Sequence, residues 1–210
     1  YLSNFRLNLM RVLRDAGHSV VAIAPSDEYA SLIRASGVRF LDVPISGGGT
    51  NPFVEFWTVY RLWRVFRLES IDIVLSYTPK GNLYSALASM AAGLRFVPNV
   101  SGLGRAFIKK SFVTFIVRFL YGVTFRRAEK VYFQNSDDLD AFLKLGLVHM
   151  DKAERLPGSG VDLSRFSPPR LDERLDQRFA FLLVARMLWD KGVGEYVSAR
   201  SEERRVGKEC

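Results

Sequence analysis

Two basic residues of this 210-residue chain, Arg186 and Lys191, have the types and the spacing to bind a phosphorylated ligand. The apolar run 179–185 precedes Arg186 and has the length and composition of a strand buried on both faces. In an open α/β sheet, ligands bind outside the carboxyl ends of the strands. An arginine fork and a lysine charge beside a helix N-terminus favour a diphosphate. The same spacing also fits an arginine and a lysine exposed on an ordinary loop.

A glycine-rich segment, GSGVDLSRF at 158–166, lies upstream of the apolar run. The segment, the run, Arg186 and the Lys191-Gly192 pair together resemble the domain junction of the retaining glycosyltransferases of family four, which have the GT-B fold. The resemblance implies that Arg186 and Lys191 neutralise the leaving diphosphate of a nucleotide-sugar donor, with no metal or other cofactor. The implied donor-binding residues are Ser159, Gly160, Arg186, Lys191 and Gly192.

A second candidate site follows a predicted buried strand, where the chain reads TPKGN at 78–82. A similar turn occurs in the capsule, exopolysaccharide and lipid-linked oligosaccharide subgroup of the same family. Thr78, Lys80 and Asn82 offer a hydroxyl, a cation and an amide beside the start of a helix predicted at 83–92. These groups suit an anionic acceptor such as a polyprenyl diphosphate sugar. The alternative is a proline turn with a solvated lysine.

The next predicted strand ends in SGLGR at 101–105, which resembles the SGLG turn of subgroup members that act on lipid-linked sugars. Glycines at 102 and 104 permit a close approach of the backbone to a ligand. Many relatives place a histidine in this turn, and its absence here leaves a histidine-assisted step in doubt. The implied acceptor-binding residues are Thr78, Lys80, Asn82, Ser101, Gly102, Gly104 and Arg105.

A long helix is predicted at 106–127, with a wide apolar stripe, several basic residues and no acidic residue. An aromatic, basic and amphipathic helix is typical of a segment that lies on an anionic bilayer. A core helix with a solvated basic edge explains the same pattern. The candidate membrane-binding residues are Lys109, Lys110, Phe112, Phe115, Arg118 and Phe119.

Helical and strand-like segments alternate along the chain, which predicts an α/β fold with a parallel sheet covered on both faces. The resemblance implies an acceptor-binding Rossmann-like domain at 1–166, a linker at 167–178 and the start of a donor-binding Rossmann-like domain at 179–199. We expect the first strand of the N-terminal domain to be missing, because the chain opens directly on a helical pattern. Residues 200–210 resemble a translated sequencing adapter and are expected to be a non-native tail.

Composition is that of an ordinary globular protein, with 48% hydrophobic and 25% charged residues. The expected tail carries four basic and three acidic residues, so the rest of the chain has a net charge of +7 rather than +8. The only cysteine, Cys210, also lies in that tail, which excludes disulfide and cysteine-metal chemistry elsewhere. A net positive charge can attract nucleic acid, but no nucleic-acid-binding motif is present.

The resemblance implies a glycosyltransferase, peripheral on the cytoplasmic face of the cell membrane, that transfers a sugar from a nucleotide-diphosphate donor to a lipid-linked acceptor. Because relatives hold the donor with acidic residues beyond Ala199, we expect the chain to be inactive by itself. Two other classes stay open: a non-catalytic membrane-binding module, and a nucleotide-sugar epimerase or dehydrogenase. The latter needs a G-x-G-x-x-G segment after its first strand, the strand expected to be missing here, and the downstream resemblance argues against it.

Overall fold

The computed structural model describes residues 2–46, 51–102, 112–163, 166–167, 181–185 and 187–206, without the side chains of 190 and 200–206. The chain divides into two compact units. Unit 1 comprises residues 1–166 and unit 2 comprises residues 167–210.

Helices and strands alternate in unit 1, and every strand pair is parallel. This arrangement confirms the predicted α/β class. The elements of unit 1 are α1 (Leu2–Phe5), α2 (Leu7–Asp15), β1 (Val21–Ala24), α3 (Ala30–Ala35), β2 (Arg39–Asp42), α4 (Pro52–Leu68), β3 (Ile73–Tyr77), α5 (Pro79–Ala92), β4 (Arg95–Val100), α6 (Phe112–Phe125), β5 (Val131–Phe133), α7 (Ser136–Lys144) and β6 (Ala153–Arg155).

The strands form a two-stranded sheet, β1-β2, and a four-stranded sheet in the order β3-β4-β5-β6. In the larger sheet Tyr77 pairs with Asn99, Val100 with Phe133, and Phe133 with Arg155. Because the pairing is parallel, all four strands end at the same edge of the sheet. We call the ends of these strands and the residues that follow them the carboxyl edge: 77–82, 99–102, 134–136 and 156–160.

An aromatic cluster fixes α6 and α7 on the larger sheet. Its members are Tyr121 and Phe125 of α6, Phe133 of β5 and Phe142 of α7, all at most 4% exposed. The rings of Tyr121 and Phe125 are 4.7 Å apart, and those of Phe133 and Phe142 are 5.2 Å apart, both in edge-on contact. Edge-on packing of this kind adds to the stabilisation from burial. The cluster therefore packs the second halves of α6 and α7 onto the larger sheet.

Helix α5 packs against α4, α6, β3 and β4, so it is the central helix of unit 1. Its buried face contains Ala86, Ala88 and Ser89, which are fully buried and let neighbouring elements approach closely. The helix starts at Pro79, four residues earlier than predicted, because proline is favoured at the first helical position. Gly93 ends it in the left-handed region, at φ 71°. Lys80 and Asn82 consequently lie in the first helical turn and not in the preceding loop.

The buried strand predicted at 179–185 is wrong for its described part. Residues 181–185 are in no strand, and Phe181, Leu182 and Val184 are each more than 70% exposed. A strand buried on both faces requires neighbouring strands to pair with and helices to cover it. Within the described residues every strand belongs to unit 1, so this segment has no ladder to join.

The expected helix start after Lys191-Gly192 is present in unit 2. A 3-10 helix, Trp189–Lys191, ends at Gly192 with φ 73°, and α8 (Val193–Val206) follows at once. Tyr196 Oη donates a hydrogen bond to the carbonyl oxygen of Phe181 over 2.9 Å, which connects α8 to the apolar run. Among the described residues of the whole chain, none of the helices has the length and hydropathy needed to span a bilayer.

Candidate active site

The turn between β3 and α5 holds its first residue in a strained conformation. Thr78 has φ 69° and ψ 150°, a region that is almost restricted to glycine. A Cβ at Gly81 would lie 2.9 Å from Thr78 Oγ1, so only a glycine fits beneath the threonine. The backbone N–H of Asn82 donates to the Thr78 carbonyl over 2.8 Å and closes the first turn of α5. Strain of this kind persists only where surrounding structure imposes it, and it is concentrated at functional sites.

Lys80 is paired and partly buried. Its Nζ lies 2.6 Å from Glu55 Oε1 in the first turn of α4, and the two side chains are 26% and 16% exposed. The pKa of the neighbouring Tyr84 is raised, mainly because the phenol is buried and secondly because of its hydrogen bond to Glu55 and the charge of Glu55. The phenol therefore stays neutral. The pair fixes the Lys80 ammonium at the start of α5, where α6 is also attached through Tyr121 Oη and the Pro79 carbonyl, 3.1 Å apart.

A chain of amide groups links the ends of the four strands below this turn. Asn82 Nδ2 donates to the backbone carbonyl of Asn99 over 2.9 Å. Gln134 Nε2 lies 3.4 Å from Asn99 Oδ1 and 3.2 Å from Ser159 Oγ. Asn82 is 2% exposed and Asn99 is 5% exposed, whereas Ser159 is exposed. Asn82 Oδ1 is buried and accepts no hydrogen bond within the described residues.

Two helices begin at the carboxyl edge, and they differ in charge. The first turn of α7 contains Asp137 and Asp138, and Asn135 accepts a hydrogen bond from the Asp138 amide over 2.8 Å. The Asp138 amide in this turn already has an acceptor, and the two carboxylates repel anions. The first turn of α5 has no acidic residue and contains Lys80. Since helix N-termini favour negative charge, α5 is the better anion-binding position of the two.

The predicted acceptor-binding residues fall into three groups in the structure. Thr78, Lys80 and Asn82 are together at the start of α5. Asn82 is buried there, and its side chain bonds to the Asn99 carbonyl instead of facing the surface. Ser101 and Gly102 follow β4 at the same edge, and Ser101 is exposed. Two further predictions, Gly104 and Arg105, lie outside the described residues.

The predicted donor-binding residues are divided between the two units. Ser159 and Gly160 follow β6 at the carboxyl edge, and Gly160 has φ 70°, which favours glycine. Lys191 is exposed at the end of the 3-10 helix, and Gly192 lies between that helix and α8. Arg186 lies outside the described residues, so its proposed pairing with Lys191 stays a prediction.

The predicted membrane residues on α6 are largely exposed. Phe112, Phe115 and Phe119 are 77%, 67% and 63% exposed, while Arg118 is partly buried. Lys109 and Lys110 lie outside the described residues. The first half of α4 presents a second exposed aromatic face. There Phe53 is 83% exposed and Phe56 is 73% exposed.

Sequence reasoning missed three residues of the site: Glu55, Asn99 and Gln134. Glu55 was not identified because it lies on α4, which follows β2, whereas Lys80 lies on α5, which follows β3. Only the packing of α4 on α5 brings the two side chains together. Asn99 and Gln134 were available to the rule that selected Thr78, since each stands at the end of a strand of the larger sheet. Applying that rule to every strand would have found both.

Thr78→Gly tests whether the β3–α5 turn stores strain. We expect the free energy of unfolding to rise by about 1 kcal/mol, because the conformation costs a threonine about 1–3 kcal/mol and glycine flexibility offsets part of the gain. Chemical denaturation of the purified chain measures the change. Ser70→Gly, at the other described non-glycine residue with positive φ, is the comparison, and its smaller φ of 51° predicts a smaller gain. A less stable Thr78→Gly variant would contradict the strain.

Comparison with known proteins places these features in a family. The model of the glycosyl transferase 4-like domain matches residues 3–159. The N,N'-diacetylbacillosaminyl-diphospho-undecaprenol alpha-1,3-N-acetylgalactosaminyltransferase of Campylobacter jejuni is 28% identical over 208 residues. The alignment covers 92% of this chain and 55% of that relative, so the chain spans about half its length.

Solved structures show the same fold. A glycosyltransferase from Rickettsia africae superposes with a TM-score of 0.58 at 17% identity, over 81% of this chain and 44% of its own. HepE from Anabaena, in complex with UDP and glucose, has a TM-score of 0.56 at 13% identity; the superposition covers 78% of this chain and 43% of HepE. These likenesses confirm the predicted GT-B class of fold, and the family model covers most of unit 1. The chain therefore belongs to the glycosyl transferase 4-like domain family.

Proposed function

We propose that this chain provides the acceptor-binding part of a glycosyltransferase that transfers a sugar from a nucleotide-diphosphate donor to a polyprenyl-diphosphate-linked or growing polysaccharide acceptor. The observation that carries the proposal is the carboxyl edge: a strained turn, a Lys80 ammonium fixed by Glu55, and a helix with no acidic residue in its own first turn lie together. The printed name of the Campylobacter jejuni relative, which describes an undecaprenol-diphosphate acceptor, supports the same class of substrate.

In this proposal the acceptor diphosphate binds near the start of α5. The helix dipole attracts the phosphate, and Lys80 supplies an ammonium that Glu55 holds in position. Ser101 and Gly102 lie at the end of the neighbouring strand, where a hydroxyl and an uncovered backbone can contact the acceptor sugar. Gly104 and Arg105 complete the proposed acceptor site.

Donor binding is assigned to Ser159, Gly160, Arg186, Lys191 and Gly192. Arg186 and Lys191 would neutralise charge on the departing diphosphate, which is electrostatic stabilisation without a metal. The proposed division is therefore an acceptor domain at 1–166, a linker at 167–178 and the beginning of a donor domain at 179–199. Transfer with retention of the anomeric configuration is part of the proposal.

Sugar transfer by the full-length gene product tests the function. Radiolabelled nucleotide sugars are incubated with undecaprenyl-diphosphate-linked sugars, and label in the organic phase is counted. We expect label to enter the lipid fraction only when both substrates are present, and NMR of the product to show the anomeric configuration of the donor. Label that stays in the aqueous phase with every donor and acceptor tried would contradict the assignment.

We also propose that the exposed aromatic faces of α4 and α6 contact an anionic membrane, where a polyprenyl-linked acceptor resides. Both helices contact the first turn of α5: Glu55 in the first turn of α4 pairs with Lys80, and Tyr121 in the second half of α6 donates to the Pro79 carbonyl. Their exposed rings are Phe53, Phe56 and Trp57 on α4 and Phe112, Phe115 and Phe119 on α6. Apolar rings with nearby basic residues match an interfacial surface. Localisation at the inner face of the cell membrane follows from this proposal.

Phe115→Ser with Phe119→Ser tests the membrane surface. We expect liposome binding to fall about tenfold or more, since burying one phenylalanine side chain contributes about 1.5–3 kcal/mol and 1.4 kcal/mol is about tenfold. Sedimentation with vesicles that contain phosphatidylglycerol measures binding. Met150→Ser is the matched control, because Met150 is 77% exposed before β6, away from the carboxyl edge. Charge reversal at Lys109 and Lys110 should weaken binding as well. Unchanged sedimentation of both variants would remove the membrane proposal.

The two alternative classes have weaker support. A membrane-binding module without catalysis accounts for the aromatic faces but not for the strained turn and the buried amide chain at the carboxyl edge. A nucleotide-sugar epimerase or dehydrogenase shares the α/β architecture, but the family model over residues 3–159 favours the glycosyltransferase.

A further inference from the structure

The side chain of Gln134 connects the end of β4 to the glycine-rich segment that follows β6. It follows β5, and its backbone amide donates to the Val100 carbonyl over 3.1 Å. Its side-chain Nε2 faces two oxygens, Asn99 Oδ1 at 3.4 Å and Ser159 Oγ at 3.2 Å. An amide nitrogen has two hydrogens, so it can donate to both. The buried Asn99 thereby fixes the direction in which Gln134 holds Ser159.

The segment that contains Ser159 has little else to hold it. Gly158 and Gly160 flank the serine with φ 76° and 70°, and an added Cβ at either glycine would meet nothing within 4 Å. Among the described residues, the bond from Gln134 is the only side-chain hydrogen bond to residues 157–160. Glycine-rich backbone has more conformational freedom to lose on binding than other sequences. A single hydrogen bond therefore has a large share in determining where this segment lies.

We propose that Gln134 is a positioning residue that acts through Ser159, holding the glycine segment 158–160 in the conformation that binds the nucleotide diphosphate of the donor. The inference rests on the proposed function, because it assumes that Ser159 and Gly160 contact the donor. Holding a loop in its bound conformation improves affinity by reducing the ordering that binding requires. The opposite, buried end of the amide chain, Asn82 and Asn99, makes Gln134 rigid enough for this role.

A double-mutant cycle in the full-length gene product tests the inference. Calorimetry first identifies which of UDP, GDP and ADP the wild-type protein binds, and that nucleotide is the probe. We expect Gln134→Ala to weaken its binding about three- to tenfold, the range for one neutral hydrogen bond. Ser159→Ala should have a similar effect, and the double variant should be no weaker than either single variant. The KM for the donor should rise while the KM for the acceptor is unchanged, which a general loss of structure would not produce.

The outcomes separate the inference from the function on which it rests. A wild-type protein that binds none of the three nucleotides contradicts both the proposed function and the inference. Wild-type binding that is unaffected by Gln134→Ala, or losses that multiply in the double variant, contradict the inference alone. Asp140→Ala, an exposed change on α7 away from the amide chain, should leave nucleotide affinity unchanged. A variant that unfolds is replaced by Gln134→Met, which keeps the length of the side chain and removes its donor.

Discussion

Lys191→Ala in the full-length gene product is expected to lower kcat about ten- to hundredfold. A hydrogen bond to a charged group contributes about 1.5–3 kcal/mol, and about 1.4 kcal/mol corresponds to a tenfold change in rate. If Lys191 binds the leaving diphosphate, the charge that it neutralises grows as the glycosidic bond breaks, so the loss falls on kcat and not only on donor binding. Steady-state kinetics with donor and acceptor varied in turn measure the two parameters separately.

The effect of Lys191 is distinguished from a general change of charge by two further variants. Lys144→Ala removes an exposed lysine from the last turn of α7 and should leave kcat unchanged. Lys191→Arg keeps the positive charge and should recover part of the lost activity, although the guanidinium has a different shape. Normal turnover by Lys191→Ala would show that the lysine belongs to an ordinary surface loop.

Asn82→Asp is expected to destabilise unit 1 by about 3–5 kcal/mol at pH 7, the range for an unpaired charge in a protein interior. Asn82 is 2% exposed, and its Nδ2 is 2.9 Å from the Asn99 carbonyl. The substitution replaces a donor by a carboxylate oxygen, which faces another acceptor in a buried position. Because burial raises the pKa of such a carboxyl, the loss should shrink as the pH falls towards about 4, where the unfolded chain also becomes protonated.

Urea denaturation of the chain at several pH values measures this loss. Asn51→Asp is the matched control, since Asn51 is exposed and caps α4 by accepting a hydrogen bond from the Phe53 amide over 3.0 Å. Aspartate caps a helix as well as asparagine does, so this variant should be nearly neutral. Equal stability of the two aspartate variants at pH 7 would mean that Asn82 is not buried among acceptors.

The sequence predicted the parts of unit 1 that local chemistry controls. The α/β class followed from alternating periodicities, and the turn at 78–82 was found because it follows an apolar strand, although Ile73 and Leu75 of that strand are exposed and it is buried on one face only. The start of α5 was misplaced because Pro79 was taken as part of a loop, whereas proline is well suited to the first helical position. Local rules of this type locate elements better than they locate the ends of elements.

Contacts between distant segments were not predictable from one sequence. Lys80 and Glu55 are 25 positions apart, and Gln134 and Ser159 are also 25 apart, so no periodicity connects either pair. The exposure of the rings on the first half of α4 was not predictable, because periodicity reports an apolar face but not what covers it. The strand at 179–185 failed for a related reason: its composition suits a buried strand, but pairing depends on neighbours elsewhere in the chain.

Photoaffinity labelling shows which residues contact the acceptor. A polyprenyl-diphosphate sugar with a diazirine on the sugar is cross-linked to the full-length gene product, and the labelled peptides are identified by mass spectrometry. We expect adducts within residues 77–82 and 99–102 of the carboxyl edge that disappear when unlabelled acceptor is added. Competed adducts found only outside these residues would contradict the assignment of the turns after β3 and β4 as the acceptor site.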